Sequence, residues 1–111
     1  MEKNEIRYTL DLLVRLIDTT TGMVVTERDV HFRRNGKEVH PVQRGNGNYV
    51  FLNTGREDCD LEVTVFDFET AHAKIRYEKL DNFLPIKDVF LIPSENTAKG
   101  EAVLSLTGHL S

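Results

Sequence analysis

Two histidines and an aspartate are the side chains whose types and predicted spacing could bind a metal. Asn35-Gly36 is the preferred pair for a two-residue type I′ hairpin turn, because both central positions take positive φ. A tight turn there places His31 opposite His40, with Cβ atoms roughly 4.5–5.5 Å apart. Asp29 follows on the same face of the hairpin. Two imidazoles and a carboxylate suit zinc or iron chemistry.

The alternative is that these residues form an ordinary solvent-facing side of the hairpin. Metal sites normally use three or four ligands, and no second histidine-rich element lies near this one in the sequence. We therefore predict no metal and no cofactor. A metal-binding module or metal-assisted enzyme on the Asp29, His31 and His40 face is kept as an alternative function.

Other candidate sites are weaker. The acidic cluster of Glu57, Asp58 and Asp60 could hold calcium, but calcium sites draw six or more oxygens and the spacing matches no EF-hand loop. Gly45-x-Gly47 lacks the third glycine and the following helix of a dinucleotide site. The sequence contains no Gly-x-Ser-x-Gly motif and no phosphate loop. We predict that the protein is not an enzyme.

Composition argues against several classes of partner. The net charge of -4 and the pI near 5.5 are unlike those of a nucleic-acid binder, which normally has a basic face. The absence of Trp, together with Tyr and Phe placed mostly in strand cores, disfavours carbohydrate binding. A carbohydrate- or ligand-binding accessory domain is the second alternative function.

The chain shows no targeting or membrane signal. Its N-terminus lacks the apolar core of a signal peptide, and no apolar run approaches the ~18 residues of a membrane span. The single cysteine, Cys59, lies on the apolar side of a predicted strand and is expected to be a buried core residue. These features predict a protein that stays in the cytoplasm or is assembled into a particle from there, without a membrane partner.

Alternation of apolar and polar residues predicts the elements that carry these side chains. Residues 8–17 alternate as a long first strand, with Leu10, Leu12 and Val14 on one side. Residues 48–52 and 59–65 are predicted to be two central antiparallel strands. In the hairpin, Phe32 and Val39 are predicted to lie on the same side, which is the apolar one. A later strand carries the predicted interaction face of His72, Lys74 and Arg76, whose basic charge suits an acidic partner surface.

Four segments resemble recurring motifs of one group of β-sandwich domains. They are Leu16-Ile17-Asp18-Thr19-Thr20-Thr21-Gly22-Met23-Val24-Val25, Gly45-Asn46-Gly47-Asn48-Tyr49-Val50-Phe51, Leu61-Glu62-Val63-Thr64-Val65 and Val89-Phe90-Leu91-Ile92-Pro93. Their order is similar to that of D-x-x-T-G-x-x-V, G-x-Y-x-F and a closing apolar strand in carboxypeptidase regulatory-like and prealbumin-like domains. The resemblance covers about residues 5–94 and implies an immunoglobulin-like sandwich. It consists of turn and core positions, so it implies a fold more than a function.

The resemblance also disfavours two activities of the wider group. Transthyretin-related hydrolases end in a Tyr-Arg-Gly-Ser tail that contributes to their active site, whereas this chain ends in Thr107-Gly108-His109-Leu110-Ser111. Adhesin relatives with internal isopeptide bonds need a lysine in the opening strand, and residues 8–17 contain none. Neither activity is expected here.

Together these observations predict an all-β, antiparallel immunoglobulin- or prealbumin-like β-sandwich of seven to eight strands over residues 5–94. Residues 95–111 are predicted to be a linker and an additional C-terminal strand, leading to a further domain. The expected role is a structural or protein-interaction module of a larger bacterial or phage assembly. The expected contact is a protein partner, or self-association, through an edge strand.

Overall fold

A computed structural model describes residues 8–94 and shows eight strands in two packed four-stranded sheets. The strands are β1 (Leu10–Asp18), β2 (Val30–Arg34), β3 (Lys37–Val39), β4 (Val42–Arg44), β5 (Asn48–Leu52), β6 (Cys59–Val65), β7 (Ala71–Ile75) and β8 (Ile86–Leu91), with one 3-10 turn at Tyr77–Lys79. The prediction of an all-β sandwich with seven to eight strands is confirmed. The predicted C-terminal strand lies outside the described residues.

Sheet A has the strand order β4-β5-β1-β8, and sheet B has the order β3-β2-β6-β7. Within residues 8–94 every ladder is antiparallel except β1–β8, which is parallel. The two predicted central strands, β5 and β6, are both interior strands, but they belong to different sheets. Alternation identifies a strand without identifying its neighbour, so the sequence could not decide this.

The core between the sheets follows from the alternation of β1, β5 and β6. Its centre is Phe32, whose ring lies 5.1 Å from that of Tyr49 and 5.7 Å, edge-on, from that of Phe51. The buried cluster comprises Leu12, Val14, Leu16, Val25, Phe32, Tyr49, Phe51, Cys59, Leu61, Val63, Val65, Ile75, Val89 and Leu91. Each fully buried aliphatic or aromatic side chain contributes about 1.5–3 kcal/mol, so this cluster supplies the main stabilisation. The burial of Cys59 agrees with its predicted role.

The Asn35-Gly36 hairpin forms as predicted, with φ of +51° and +83° at its two central residues. Phe32 pairs with Val39 in the predicted register. The ladder ends there, however, because the chain leaves sheet B after Val39 and enters sheet A at β4. The expected cross-strand pairing of His31 with His40 is therefore wrong.

No helix among residues 8–94 has the length and apolar character needed to cross a membrane.

Candidate interaction face

The side chains of sheet A that point away from the core form the candidate site, which we call the apolar face. They alternate with the buried residues of the same strands. They are Val42 and Arg44 of β4, Asn48, Val50 and Leu52 of β5, Leu10, Leu13, Arg15 and Ile17 of β1, and Ile86, Asp88 and Phe90 of β8. Strand register arranges these side chains in rows that cross the sheet.

The middle apolar row spans the whole sheet. It consists of the in-register neighbours Val42, Val50, Leu13 and Ile86. Val42 is 37% exposed at the β4 edge, whereas Val50 is covered by its neighbours although it lies outside the core cluster. Val42, Leu13 and Ile86 are thus exposed or half-buried, and with the nearly covered Val50 they form one apolar strip across the outward side of sheet A.

A β-bulge extends this strip towards the start of the chain. The β1–β5 register shifts between Leu10 and Leu12, so Leu10 pairs with Leu52 on the apolar face. The expectation that Leu10 shares the inner side with Leu12 and Val14 is therefore wrong. Tyr8, expected to be part of the first strand, precedes it and is 65% exposed. A groove of about 480 Å³ on this face is lined by Tyr8, Leu10, Val42, Arg44, Val50 and Leu52.

The bulge is held by the buried carboxylate of Asp11, which is only 3% exposed. One of its oxygens, Oδ2, accepts hydrogen bonds from the backbone N–H groups of Thr54 and Gly55, both at 2.8 Å. Its other oxygen, Oδ1, lies 3.4 Å from Nε of Arg56. The Tyr77 hydroxyl donates to the Asp11 carbonyl oxygen at 2.6 Å. Asp11 therefore joins β1 to the loop after β5 and fixes where the bulge forms.

A polar row separates the middle apolar row from a second apolar patch. It consists of Arg44, Asn48, Arg15 and Asp88. Arg15 donates to both carboxylate oxygens of Asp88, at 2.8 and 3.1 Å, and these hydrogen bonds, followed by the charge of Asp88, raise the pKa of Arg15. Beyond this row Ile17 lies between Val24 and the 59%-exposed Phe90.

The outward side of sheet B has the opposite character. Its central row, Glu38, Arg33, Glu62 and His72, is polar throughout, and Arg33 lies between two carboxylates. Such cross-strand charge pairs are typical of a face in contact with water.

The predicted basic interaction face lies on this charged side of sheet B. Lys74 lies 3.6 Å from the Asp60 carboxylate, and His72 lies opposite Glu62. Arg76 follows the end of β7 and donates to the Ile75 carbonyl oxygen at 3.2 Å. Neighbouring carboxylates thus offset much of the charge that suggested an acidic partner, and the role of this face stays a prediction.

The candidate metal ligands form two separate pairs and no three-ligand set within residues 8–94. Nε2 of His31 lies 3.5 Å from Oδ2 of Asp29, and Nε2 of His40 lies 4.0 Å from Oε2 of Glu38. All four side chains line one cavity of about 170 Å³, but no three His, Cys, Asp or Glu side chains among residues 8–94 are placed to share a metal ion. This geometry gives the metal alternative no support.

The hydroxyl of Tyr49 lies beside the same cavity. It is buried and has no hydrogen-bond partner within the described part of the chain. Burial, and secondarily the charge of Asp29, raises the pKa of Tyr49. The sequence placed most Tyr and Phe side chains in strand cores but gave no sign that the hydroxyl of Tyr49 would be unpartnered.

The acidic cluster is divided among separate structural contacts. Asp58 accepts a hydrogen bond from the backbone N–H of Tyr77 at 2.9 Å, while Asp60 faces Lys74. The cluster therefore does not form a calcium cage within residues 8–94.

The aromatic side chains are less buried than expected. Tyr8, Phe66, Phe83 and Phe90 are exposed and lie on separate segments. The assumption that Tyr and Phe mostly fill strand cores is therefore wrong for these four. The sequence did contain a sign of this for Phe90. It stands between Val89 and Leu91 in an apolar run, and alternation along a strand places it on the opposite side from both of them.

Comparison of the chain with protein-family models, with curated proteins and with solved structures gives no match. The resemblance to carboxypeptidase regulatory-like and prealbumin-like domains accordingly stays a prediction, while the eight-stranded sandwich is a property of the structure itself.

Proposed function

We propose that this chain is a non-enzymatic structural or protein-interaction module that docks into a larger assembly through the apolar face of sheet A. The observation that carries the proposal is the unbroken row of Val42, Val50, Leu13 and Ile86 on an outward sheet surface. A bacterial or phage particle is the kind of assembly in which such a module would be repeated.

The physical argument is that the fold does not need this apolar row. A β-sandwich buries one face of each sheet, and the other face is normally polar. Contiguous apolar patches on a soluble protein mark surfaces that another molecule covers. The Arg15–Asp88 pair within the face adds direction to docking, since charged pairs set orientation and register more than affinity.

Position-specific photo-crosslinking in cells of the natural source tests the proposal. A photoreactive amino acid replaces Val42 or Phe90 on the apolar face, or the exposed Thr64 on the outward side of sheet B, as a matched control. We expect crosslinked protein complexes from positions 42 and 90 and few or none from position 64. Equal crosslinking from all three positions, or none from any, would overturn the proposal.

A further inference from the structure

We propose that the partner on the apolar face is a second copy of this chain, related by a twofold axis that runs parallel to the strands. This inference rests on the proposed function, because it names the occupant of the same face. Two copies would pack sheet A against sheet A, about 10 Å apart, as the two sheets of a sandwich do.

The row pattern makes the apolar face complementary to itself. A twofold axis along the strands keeps each row at its own height and reverses the order of the strands. In the dimer β4 then faces β8 of the partner copy, and β5 faces its β1. Val42 meets Ile86 of the second copy, and Val50 meets its Leu13, so the middle apolar row is covered entirely by apolar side chains.

The polar row selects this axis. Arg44 lies at one end of the row, on β4, and Asp88 lies at the other end, on β8. Reversing the strand order brings each Arg44 next to Asp88 of the other copy, which makes two additional opposite-charge contacts. A twofold axis perpendicular to the strands inverts the rows: through the middle row it lays the polar row against the apolar Leu10 and Leu52, and through the polar row it places Arg44 against Arg44 of the other copy. Neither arrangement gives Arg44 an opposite charge, and like charges across an interface disfavour docking.

The size of the face fits a reversible dimer. Strands of nine, six, five and three residues, with about 3.3 Å per residue and 4.8 Å between strands, cover roughly 700 Å² counted over both copies, which is the size of a weak, transient contact. Because the same patch is used on both chains, the contact is isologous and closes at two copies. The charged outward side of sheet B then remains in water.

Sedimentation velocity over a wide concentration range tests the dimer with the full chain. The unmodified chain should show a concentration-dependent monomer–dimer equilibrium. Phe90→Glu should abolish it, and Arg44→Glu should weaken it at least about tenfold, because the new carboxylate faces Asp88 of the other copy. Thr64→Glu and Lys37→Glu make similar changes at exposed positions of sheet B and should leave the equilibrium unchanged. Circular dichroism confirms that each variant is folded.

Crosslinking determines the axis. Chains carrying Val42→Cys are mixed with differently tagged chains carrying Ile86→Cys and treated with a short bis-maleimide, while the native Cys59 stays buried. We expect crosslinks mainly between the two kinds of chain. Predominant Val42→Cys to Val42→Cys products would overturn the proposed axis.

The outcomes separate this inference from the proposed function. A chain that stays monomeric at every concentration, while positions 42 and 90 crosslink in cells to a different protein, overturns the second copy as partner and leaves the docking face in place. A monomeric chain without crosslinks at those positions overturns both.

Discussion

The outward sides of the two sheets differ, although the sheets have the same number of strands and share one core. The central row of sheet A is Val42, Val50, Leu13 and Ile86, whereas that of sheet B is Glu38, Arg33, Glu62 and His72. Sheet B shows that this architecture is compatible with a fully polar outer row. The architecture itself therefore does not call for an apolar outer row, and the docking role proposed above accounts for the one on sheet A.

The largest expected effect separates inward from outward apolar residues. Phe32→Ala removes a side chain that is 2% exposed and contacts two other aromatic rings, so it should lower the free energy of unfolding by about 3–5 kcal/mol. Phe90→Ala on the apolar face should cost the monomer less than about 1 kcal/mol. Urea denaturation of both variants at low protein concentration measures the difference. Equal losses would mean that the apolar face stabilises the monomer itself.

The second prediction concerns the bulge that extends the apolar face. Asp11→Ala leaves the buried N–H groups of Thr54 and Gly55 without their acceptor, so the free energy of unfolding should fall by about 2–3 kcal/mol. Asp11→Asn retains one carbonyl oxygen and should lose less. Hydrogen exchange should show faster exchange at Thr54 and Gly55 in Asp11→Ala only. Unchanged protection there would show that the carboxylate does not hold the loop.

The third prediction compares the hairpin turns of the two sheets. Gly47 has φ of +89°, and a Cβ atom there would clash with Cγ1 of Val24 and lie 3.1 Å from the Val25 carbonyl oxygen. Gly36 has φ of +83° with open space around it. Gly36→Ala should cost about 1 kcal/mol from backbone strain alone, and Gly47→Ala about 1–2 kcal/mol more. Thermal denaturation ranks the two variants, and equal Tm losses would contradict the close approach in sheet A.

The smallest effect concerns the region between the sheets, where Tyr49 is buried without a hydrogen-bond partner. Because burial raises its pKa, the folded chain keeps the phenolic proton at a pH where the unfolded chain has begun to lose it, near pH 10. The free energy of unfolding should therefore be unaffected by this group below that pH and fall as the pH rises above it.

Tyr49→Phe is the matched variant for this effect. It should show a smaller alkaline decline in the free energy of unfolding and, at neutral pH, equal stability or a gain of up to about 1 kcal/mol. Denaturation at neutral and alkaline pH measures both quantities. An alkaline decline identical to that of the unmodified chain would contradict the assignment to Tyr49.

Local features were predictable where the sequence itself contains the constraint. Asn35-Gly36 specifies a turn, and the turn specifies the Arg33–Glu38 register that the structure shows. The pairing of His31 with His40 failed because the hairpin is interrupted where the chain changes sheets, which depends on contacts with β5 that are distant in sequence. The bulge at Asp11 could not be predicted either, because the N–H groups that hold the Asp11 carboxylate lie more than forty residues away in the sequence.

The sequence by itself determined that the chain forms strands and where the Asn-Gly turn lies. It also determined that β6 turns Leu61, Val63 and Val65 to one side. These features were predictable because alternation and turn chemistry act over a few residues. Only the tertiary structure decided which strands are neighbours and which side of a strand such as Tyr49-Val50-Phe51-Leu52 is inside. A strand with apolar residues on both sides can bury either one, so the choice depends on long-range pairing with β1 and β4. That choice turned Val50 and Leu52 away from the core and created the apolar face.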